Sequence, residues 1–494
     1  MSAASTKNRP VPRIPKGFRD TFAANVVARQ RMIDTIREVY ERYGFSPLET
    51  PAVEYVDALG KYLYESDTAE GGIFAFRDED NSLIALRYDL TAPLSRVFSQ
   101  YRKSLPSPFR RYQMGLVWRN EKPGPSRFRE FYQFDIDTVG SASMAADAEV
   151  CCVVSDALEA LQIQRGNYQI RVNNRKALNG VLEVVGLPTD EKTSLTVLRA
   201  IDKLDRVGIE GVRQLLSVGR TDESGDFTEG ARLTDDQAQR VVDLLSVKEA
   251  SRSKVCDKFE EIVRGSRVGE EGVLELREIE GFLTAAGYAE DRVVFDPTVV
   301  RGLAYYTGPV FEAALTFEVT DDAGQKRQFG SVAGGGRYDY LVERFIGEKV
   351  PATGVSIGVD RLLTALDVLG KLKTQDSSAP VIVTVMDKAR AFDYQKMTFD
   401  LRRSGIAAEM YLGEGGLGEQ LQYADQRGAI LAVIVGSREF EAGQVSLKDL
   451  RLGRESSVEF TERQAWLKEQ PGQLTVPLEN IVPEVRAILN RYQS

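Results

Sequence analysis

The chain is 494 residues long, 43% hydrophobic and 28% charged, with a net charge of −9 and no histidine; the length points to roughly two to four domains and the balance to a soluble globular protein. Without histidine there is no Ser-His-Asp triad, no Cys-His pair, no His-bearing metal site and no side chain whose unperturbed pKa lies near neutrality, so chemistry here rests on charge stabilisation, positioning and the substrate's own groups. The acidic balance excludes indiscriminate nucleic-acid binding but leaves room for a specific RNA, three cysteines suit a reducing cytoplasm, and the longest apolar runs, such as 429–435, are far too short to span a membrane.

Residues 1–16 are polar and mildly basic, with Lys7, Arg9, Arg13 and Lys16, and read as a disordered start, with a transit peptide as the alternative, rather than as a secretory signal. Over 26–43, Met32, Ile33, Ile36, Val39, Tyr40 and Tyr43 share one face of an amphipathic helix that Gly44 stops. Residues 45–51 break into extended chain, and 83–140 read as strands and turns. Adjacent Cys151 and Cys152 read as small buried residues. From about 190 to 288, Leu, Val and charged residues at helical spacing predict a helical insertion, with a Gly/Ser-rich interruption near 217–230. Strand signals return at 293–295, 310–317 and 331–333. A polar linker, 371–379, precedes Pro380. Beyond it, strands at 381–385, 407–411 and 430–435 alternate with helices at 391–404 and 418–427, which predicts a separate α/β domain with a largely parallel sheet.

The densest chemistry lies in residues 118–137, WRNEKPGPSRFREFYQFDID. This stretch reads as strand, tight loop, strand, with Pro123, Gly124 and Pro125 at the turn. Alternation puts Arg119 and Glu121 on one face of the first strand, and Phe131, Gln133, Asp135 and Asp137 on one face of the second. A cation, an aromatic plate, an amide and carboxylates are the groups that a nucleoside triphosphate beside an amino acid would need. Arg102, Lys103, Arg110, Arg111, Arg119, Lys122, Arg127 and Arg129, set against Glu121, read as a phosphate-attracting region or equally as a solvated basic hairpin. The glycine run 334–336 reads on its own as a tight turn, and Tyr305 and Tyr306 on their own as core.

The 118–137 stretch resembles motif 2 of the class II aminoacyl-tRNA synthetases. Glu49-Thr50-Pro51 resembles motif 1, whose proline lies at the dimer interface in that class, and 354–362, GVSIGVDRL, resembles motif 3. Two further segments, 300–308 (VRGLAYYTG) and 334–339 (GGGRYD), resemble the signatures of the histidyl-tRNA synthetases. Residues 87–93, RYDLTAP, are similar to that family's amino-acid-binding turn, and 420–428 and 445–450 to its anticodon-binding domain.

The resemblance implies an α+β fold: a class II synthetase antiparallel sheet core with a helical insertion, plus a C-terminal α/β anticodon-binding domain. The boundaries expected are 1–189 for the first part of the catalytic core, 190–288 for the insertion, 289–370 for the second part of the core, 371–380 for the linker and 381–494 for the anticodon domain. The histidine site implied comprises Asp89, Leu90, Thr91, Gln133, Asp137, Arg301, Tyr305 and Tyr306. Asp89, Thr91 and Gln133 would hold the α-ammonium; Asp137 and Tyr306, with Tyr305 nearby, would read the imidazole. The ATP site implied comprises Arg119 on the α-phosphate, Glu121 on the adenine amino group, Phe131 stacked on adenine and Arg361 at the γ-phosphate. Arg301 and Arg119 would be the catalytic cations. ATP is the implied co-substrate with Mg²⁺, and no residue is assigned as a metal ligand. The implied partners are L-histidine, ATP and the tRNA for histidine, in a cytoplasmic homodimer with no membrane contact. Ala304 stands where the family commonly has an acid, and Asp89 and Asp137 where many relatives have Glu. The alternative reading is a catalytically inactive regulatory subunit of ATP phosphoribosyltransferase in histidine biosynthesis; the retained Arg119, Arg301, Tyr305, Tyr306 and Arg361 favour the enzyme.

Overall fold

The computed structural model describes residues 10–59, 72–124, 128–187, 191–222, 225–300, 305–320, 324, 326–372, 380–452 and 472–492. Contacts divide the chain into two compact units, 1–21 with 29–372 and 22–28 with 373–494.

Helix α1 (Ala23–Arg42) buries Met32, Ile33, Ile36, Val39 and Tyr40, the face that the spacing predicts, and the chain turns at Gly44, whose φ of +79° suits glycine. Strands β1 (Ser46–Pro47) and β2 (Val53–Tyr55), the short α2 (Val56–Leu59), and β3 (Ala75–Arg77) and β4 (Leu83–Leu86) follow. Next comes α3 (Thr91–Tyr101), in a region where the sequence pattern suggested only strands and turns. Its Ala92, Leu94, Val97 and Phe98 are buried at helical spacing, and Pro93 sits in the first turn, where a missing N–H costs nothing.

The first unit is built on an eight-stranded sheet. Its strands are β1, β5 (Phe109–Trp118), β6 (Glu130–Val139), β7 (Tyr168–Asn174), β10 (Val293–Phe295), β11 (Pro309–Thr320), β12 (Lys326–Arg337) and β13 (Ala352–Gly358), in the order β1-β5-β6-β13-β12-β11-β7-β10. All pairings between β5 and β7 in that order are antiparallel; only the two edge pairings are parallel. Helix α4 (Met144–Ala160) packs over β7, β11 and β13 and buries Cys151 and Cys152, as their sequence context suggests. Helix α5 (Arg175–Val184) follows β7. The segment after it is helical: α6 (Glu191–Ile201), α7 (Leu204–Leu216), α8 (Asp235–Leu245), α9 (Arg252–Val263) and α10 (Arg267–Ala285). The Gly/Ser-rich interruption is a hairpin of β8 (Gly219–Thr221) and β9 (Phe227–Glu229). Helix α10 packs on α4, α5 and the sheet, so the end of this helical segment is continuous with the packing of the core. The short α11 (Glu343–Ile346) joins β12 to β13, and α12 (Val359–Val368) follows β13 and lies against β6, β12 and β13.

The second unit holds β14 (Val381–Val383), α13 (Ala391–Arg403), β15 (Ala408–Met410), α14 (Leu417–Gln426), β16 (Leu431–Ile434), α15 (Ser437–Ala442), β17 (Gln444–Asp449), β18 (Gln473–Pro477) and α16 (Ile481–Asn490). Its sheet, β15-β14-β16-β17-β18, is parallel only through β16; β17 and β18 are antiparallel, so the largely parallel sheet expected from sequence is a mixed one. The connection 435–443 is too short for a parallel crossover, which needs about a dozen residues or more. Val381, Val383, Tyr394, Leu401, Leu431, Val433, Val445, Leu447, Val485 and Ile488 form this unit's own core.

Candidate functional site

Strand β6 has two working faces. Phe134 and Ile136 point into the core, where the Tyr40 ring lies 4.7 Å from that of Phe134. Phe131, Gln133, Asp135 and Asp137 alternate with them and line a cavity of about 620 Å³. Other lining groups come from Asp89 and Thr91 at the start of α3, from Arg119, Glu121 and Lys122 after β5, from Tyr305 and Tyr306, from the glycines of β12 and β13, and from Arg361 in the first turn of α12. Arg119 and Glu121 lie beyond the end of β5, in the loop rather than on the strand.

The glycine run is not a turn. Gly334, Gly335 and Gly336 lie within β12, paired to β11 on one side and β13 on the other. A Cβ on Gly335 would overlap the Gly354 carbonyl, and a Cβ on Gly354 would overlap the Asp137 carboxylate. Bare backbone is what lets the strands and the carboxylate approach so closely.

The inner end of the cavity is acidic. Asp89, Asp135 and Asp137 are all buried, and the wholly buried Arg111 forms an ion pair with Asp137 at 2.7 Å. Arg111 also donates to the Leu90 carbonyl at 2.9 Å, and Tyr338 donates its hydroxyl to Asp137. Burial pushes the Asp135 carboxyl up to about 7 and that of Asp137 up to about 6, with Arg111 opposing both rises. Burial also raises Asp89, which accepts the Ala92 amide at 2.9 Å. The Tyr305 and Tyr306 rings meet at 4.6 Å, and burial pushes the Tyr306 phenol up to about 12.

The outer end is basic and aromatic. The Arg119 guanidinium lies 5.2 Å from the Phe131 ring and its Nε donates to the Tyr88 carbonyl at 3.2 Å. Arg361 donates to the Phe329 carbonyl at 2.9 Å. Asp360 accepts the Tyr132 amide at 2.8 Å and pairs with Arg19, which fastens the start of α12 to β6 and sets the position of Arg361.

Two further sequence expectations change, and one is not tested. Leu90 is fully buried and does not line the cavity; only its carbonyl takes part, as the acceptor for Arg111. Arg301 lies outside the described residues. Among the described residues the basic run is dispersed, because several of its cations have separate partners. Arg102 pairs with Glu348, Arg110 with Glu149, and Arg111 with Asp137, while Arg129 bonds the Glu121 carbonyl. Of that run, Arg119 and Lys122 are the described members at the cavity. Ser356, Tyr338 and Asp360 were not singled out. For Ser356 the signal is the register of β6 against β13, which sets it opposite Asp135, and no local pattern carries it. Among the described residues no group of three Cys, Asp or Glu is placed to hold a metal ion.

A family profile described as histidyl-tRNA synthetase matches residues 17–362, and one described as anticodon binding domain matches 380–470. A protein named histidine–tRNA ligase from Cereibacter sphaeroides is 55% identical over 497 residues, covering 99% of this chain and 100% of that protein. One of the same name from Brucella abortus is 53% identical, covering 97% and 96%. A crystal structure of histidyl-tRNA synthetase from Nostoc sp. PCC 7120 superposes with a TM-score of 0.72 at 30% identity, over 98% of this chain and all of that one. A Bacillus halodurans structure titled ATP phosphoribosyltransferase regulatory subunit/histidyl-tRNA synthetase shares the fold, with a TM-score of 0.64 at 21% identity.

Proposed function

The chain belongs to the histidyl-tRNA synthetase family, and from that premise we propose that it attaches L-histidine to tRNA through a histidyl-adenylate. The observation that carries this reading is the polarity of the cavity: acceptors and carboxylates at the inner end, guanidinium groups and an aromatic ring at the outer end. An amino acid with a cationic head and a nitrogen ring suits the first, a nucleoside triphosphate the second. Its carboxylate then lies between them, where it meets the α-phosphate.

In this reading Asp89, Thr91 and Gln133 hold the α-ammonium, and Asp137 and Tyr306, flanked by Tyr305, face the imidazole. Phe131 stacks on adenine, Glu121 accepts from its amino group, Arg119 meets the α-phosphate and Arg361 the γ-phosphate at a helix N-terminus. Arg301 is the second cation proposed at the α-phosphate. The substrate carboxylate attacks the α-phosphorus in line and pyrophosphate leaves, with Arg119 stabilising charge on the phosphoryl oxygens. The terminal ribose hydroxyl of the tRNA then attacks the adenylate carbonyl and releases AMP. No step needs an enzyme histidine. Mg²⁺ is proposed to enter as part of the substrate, MgATP.

The unit matched by the anticodon-binding profile is proposed to hold the tRNA. A homodimer through the 49–51 segment is proposed as well; Pro51 is exposed there, and Tyr55 is 55% exposed on the adjoining strand. The proposed compartment is the cytoplasm, where three free, buried thiols stay reduced. Among the described residues no helix is long and apolar enough to cross a membrane. The test is amino-acid-dependent ATP–pyrophosphate exchange across the twenty amino acids. Exchange driven by histidine alone supports the reading; exchange driven by another amino acid, or by none, overturns it.

A further inference from the structure

Two buried oxygens on alternate residues of β6 lack a hydrogen-bond donor, Gln133 Oε1 and Asp135 Oδ1, and on the next such residue Asp137 Oδ2 has only its ion pair with Arg111. All three residues line the cavity, and none is more than 8% exposed. Buried acceptors without donors are costly in the empty protein and mark where a ligand's N–H groups are received. Gln133 has its amide nitrogen on Ser356 Oγ at 2.6 Å, which fixes its oxygen as the open end. Asp137 has Tyr338 on Oδ1 and the Arg111 guanidinium beside Oδ2. Asp135 has one side-chain partner, Ser356, and its other oxygen is open.

The charge around Asp135 points the same way. Asp89 and Asp137 flank it, Arg111 faces it from β5, and Arg87 lies nearby with its guanidinium bonded to the carbonyls of Thr50, Pro51 and Leu116. Three carboxylates thus share one guanidinium that is wholly inside. A ligand carrying two positive charges and several N–H groups completes this end of the cavity. The α-ammonium already has Asp89, Thr91 and Gln133. Residues two apart on a strand stand ~7 Å apart, roughly the span of a five-membered ring with a hydrogen bond of ~2.8 Å on each of two nitrogens.

We propose that Asp135 is a specificity residue of the amino-acid pocket: its open oxygen accepts one N–H of an imidazolium whose other N–H goes to Asp137, so the site selects a ring that carries a proton on both nitrogens. This assignment rests on the reading of the substrate as histidine. Asp135 works beside Asp137 on the same strand face. The pair of acceptors separates an imidazole, which is basic enough to carry the second proton, from rings of the same shape that are not.

The test uses the full-length protein and its Asp135→Asn and Asp135→Ala variants. ATP–pyrophosphate exchange is measured with histidine, and with triazolylalanine as a competitor of the same shape and much lower basicity. The quantity read is the ratio of the histidine KM to the inhibition constant of triazolylalanine, which does not depend on the fraction of active protein. Loss of a charge-assisted hydrogen bond is expected to raise the histidine KM about tenfold to a hundredfold. The ATP KM and the triazolylalanine value should stay where they are, so the ratio rises by the same factor. An unchanged ratio, or a parallel loss of both compounds, overturns the assignment of Asp135 while leaving the reaction intact. No histidine-dependent exchange in the natural protein overturns the reading of the substrate and the assignment with it.

Discussion

Replacing Arg111 by methionine should destabilise the first unit in a way that depends on pH. Arg111 is fully buried, 2.7 Å from Asp137, and also faces Asp135. Both carboxyls sit above the ordinary aspartate range, Asp137 at about 6 and Asp135 at about 7. A carboxyl raised in the folded state carries no penalty below its unfolded value, near 4; the penalty grows as pH rises from there and is complete once pH passes the folded value. Arg111 limits that penalty, and its removal raises both carboxyls further. Near pH 8 the variant is left with uncompensated buried charge, expected to cost ~3–5 kcal/mol. Near pH 5 both carboxyls take up protons, and the cost falls to ~1–2 kcal/mol for the lost hydrogen bond to the Leu90 carbonyl and the altered packing. At roughly 2 °C per kcal/mol for a large domain, thermal unfolding followed at the two pH values should show a drop of ~6–10 °C in alkali and ~2–4 °C in acid. An equal drop at both would refute the electrostatic role of Arg111, and no drop at all would refute its pairing with the cavity carboxylates.

Arg119→Ala should lower the rate of pyrophosphate exchange by about two orders of magnitude or more, the scale for losing a transition-state charge contact; near-natural exchange in a folded variant would remove Arg119 from the chemistry. Phe131→Ala should raise the ATP KM by roughly tenfold through lost stacking and leave the histidine KM unmoved, and exchange kinetics against each substrate distinguish the two. Gly335→Ala should give little soluble protein, since its Cβ would overlap the Gly354 carbonyl in the neighbouring strand; natural stability by thermal unfolding would contradict that packing. Deleting residues 373–494 should spare adenylate formation and cripple tRNA charging, because that segment carries its own core; equal charging by the truncated and full-length chains would show that the segment does not hold the tRNA.

Local pattern was enough for β6 and α1. Alternation on β6 put Phe131, Gln133, Asp135 and Asp137 on one face, and all four line the cavity; the helical spacing of Met32, Ile33, Ile36, Val39 and Tyr40 matches the buried face of α1. What local pattern could not carry depends on strands far apart in the chain. Gly334 to Gly336 look like a turn until β11 and β13 are seen pressing on both sides. Leu90 stands beside two cavity residues but points into the core, because α3 begins there and turns its apolar face inward. The basic run 102–129 is dense in sequence yet dispersed in space, since a strand and two loops send its members to Glu348, Glu149 and Asp137. The antiparallel end of the second sheet lies beyond the last strand that the sequence pattern predicts, and it is antiparallel because α15 and its flanks, 435–443, are too short for a parallel crossover.

The most direct measurement of the central claim is transfer of radiolabelled histidine to tRNA by the full-length chain with MgATP. The tRNA that becomes charged is then isolated and sequenced. The account predicts an acid-precipitable histidyl ester on the tRNA with the histidine anticodon, formed only when ATP is present. An ester of a different amino acid, or histidine-dependent pyrophosphate exchange with no transfer to any tRNA, would contradict it.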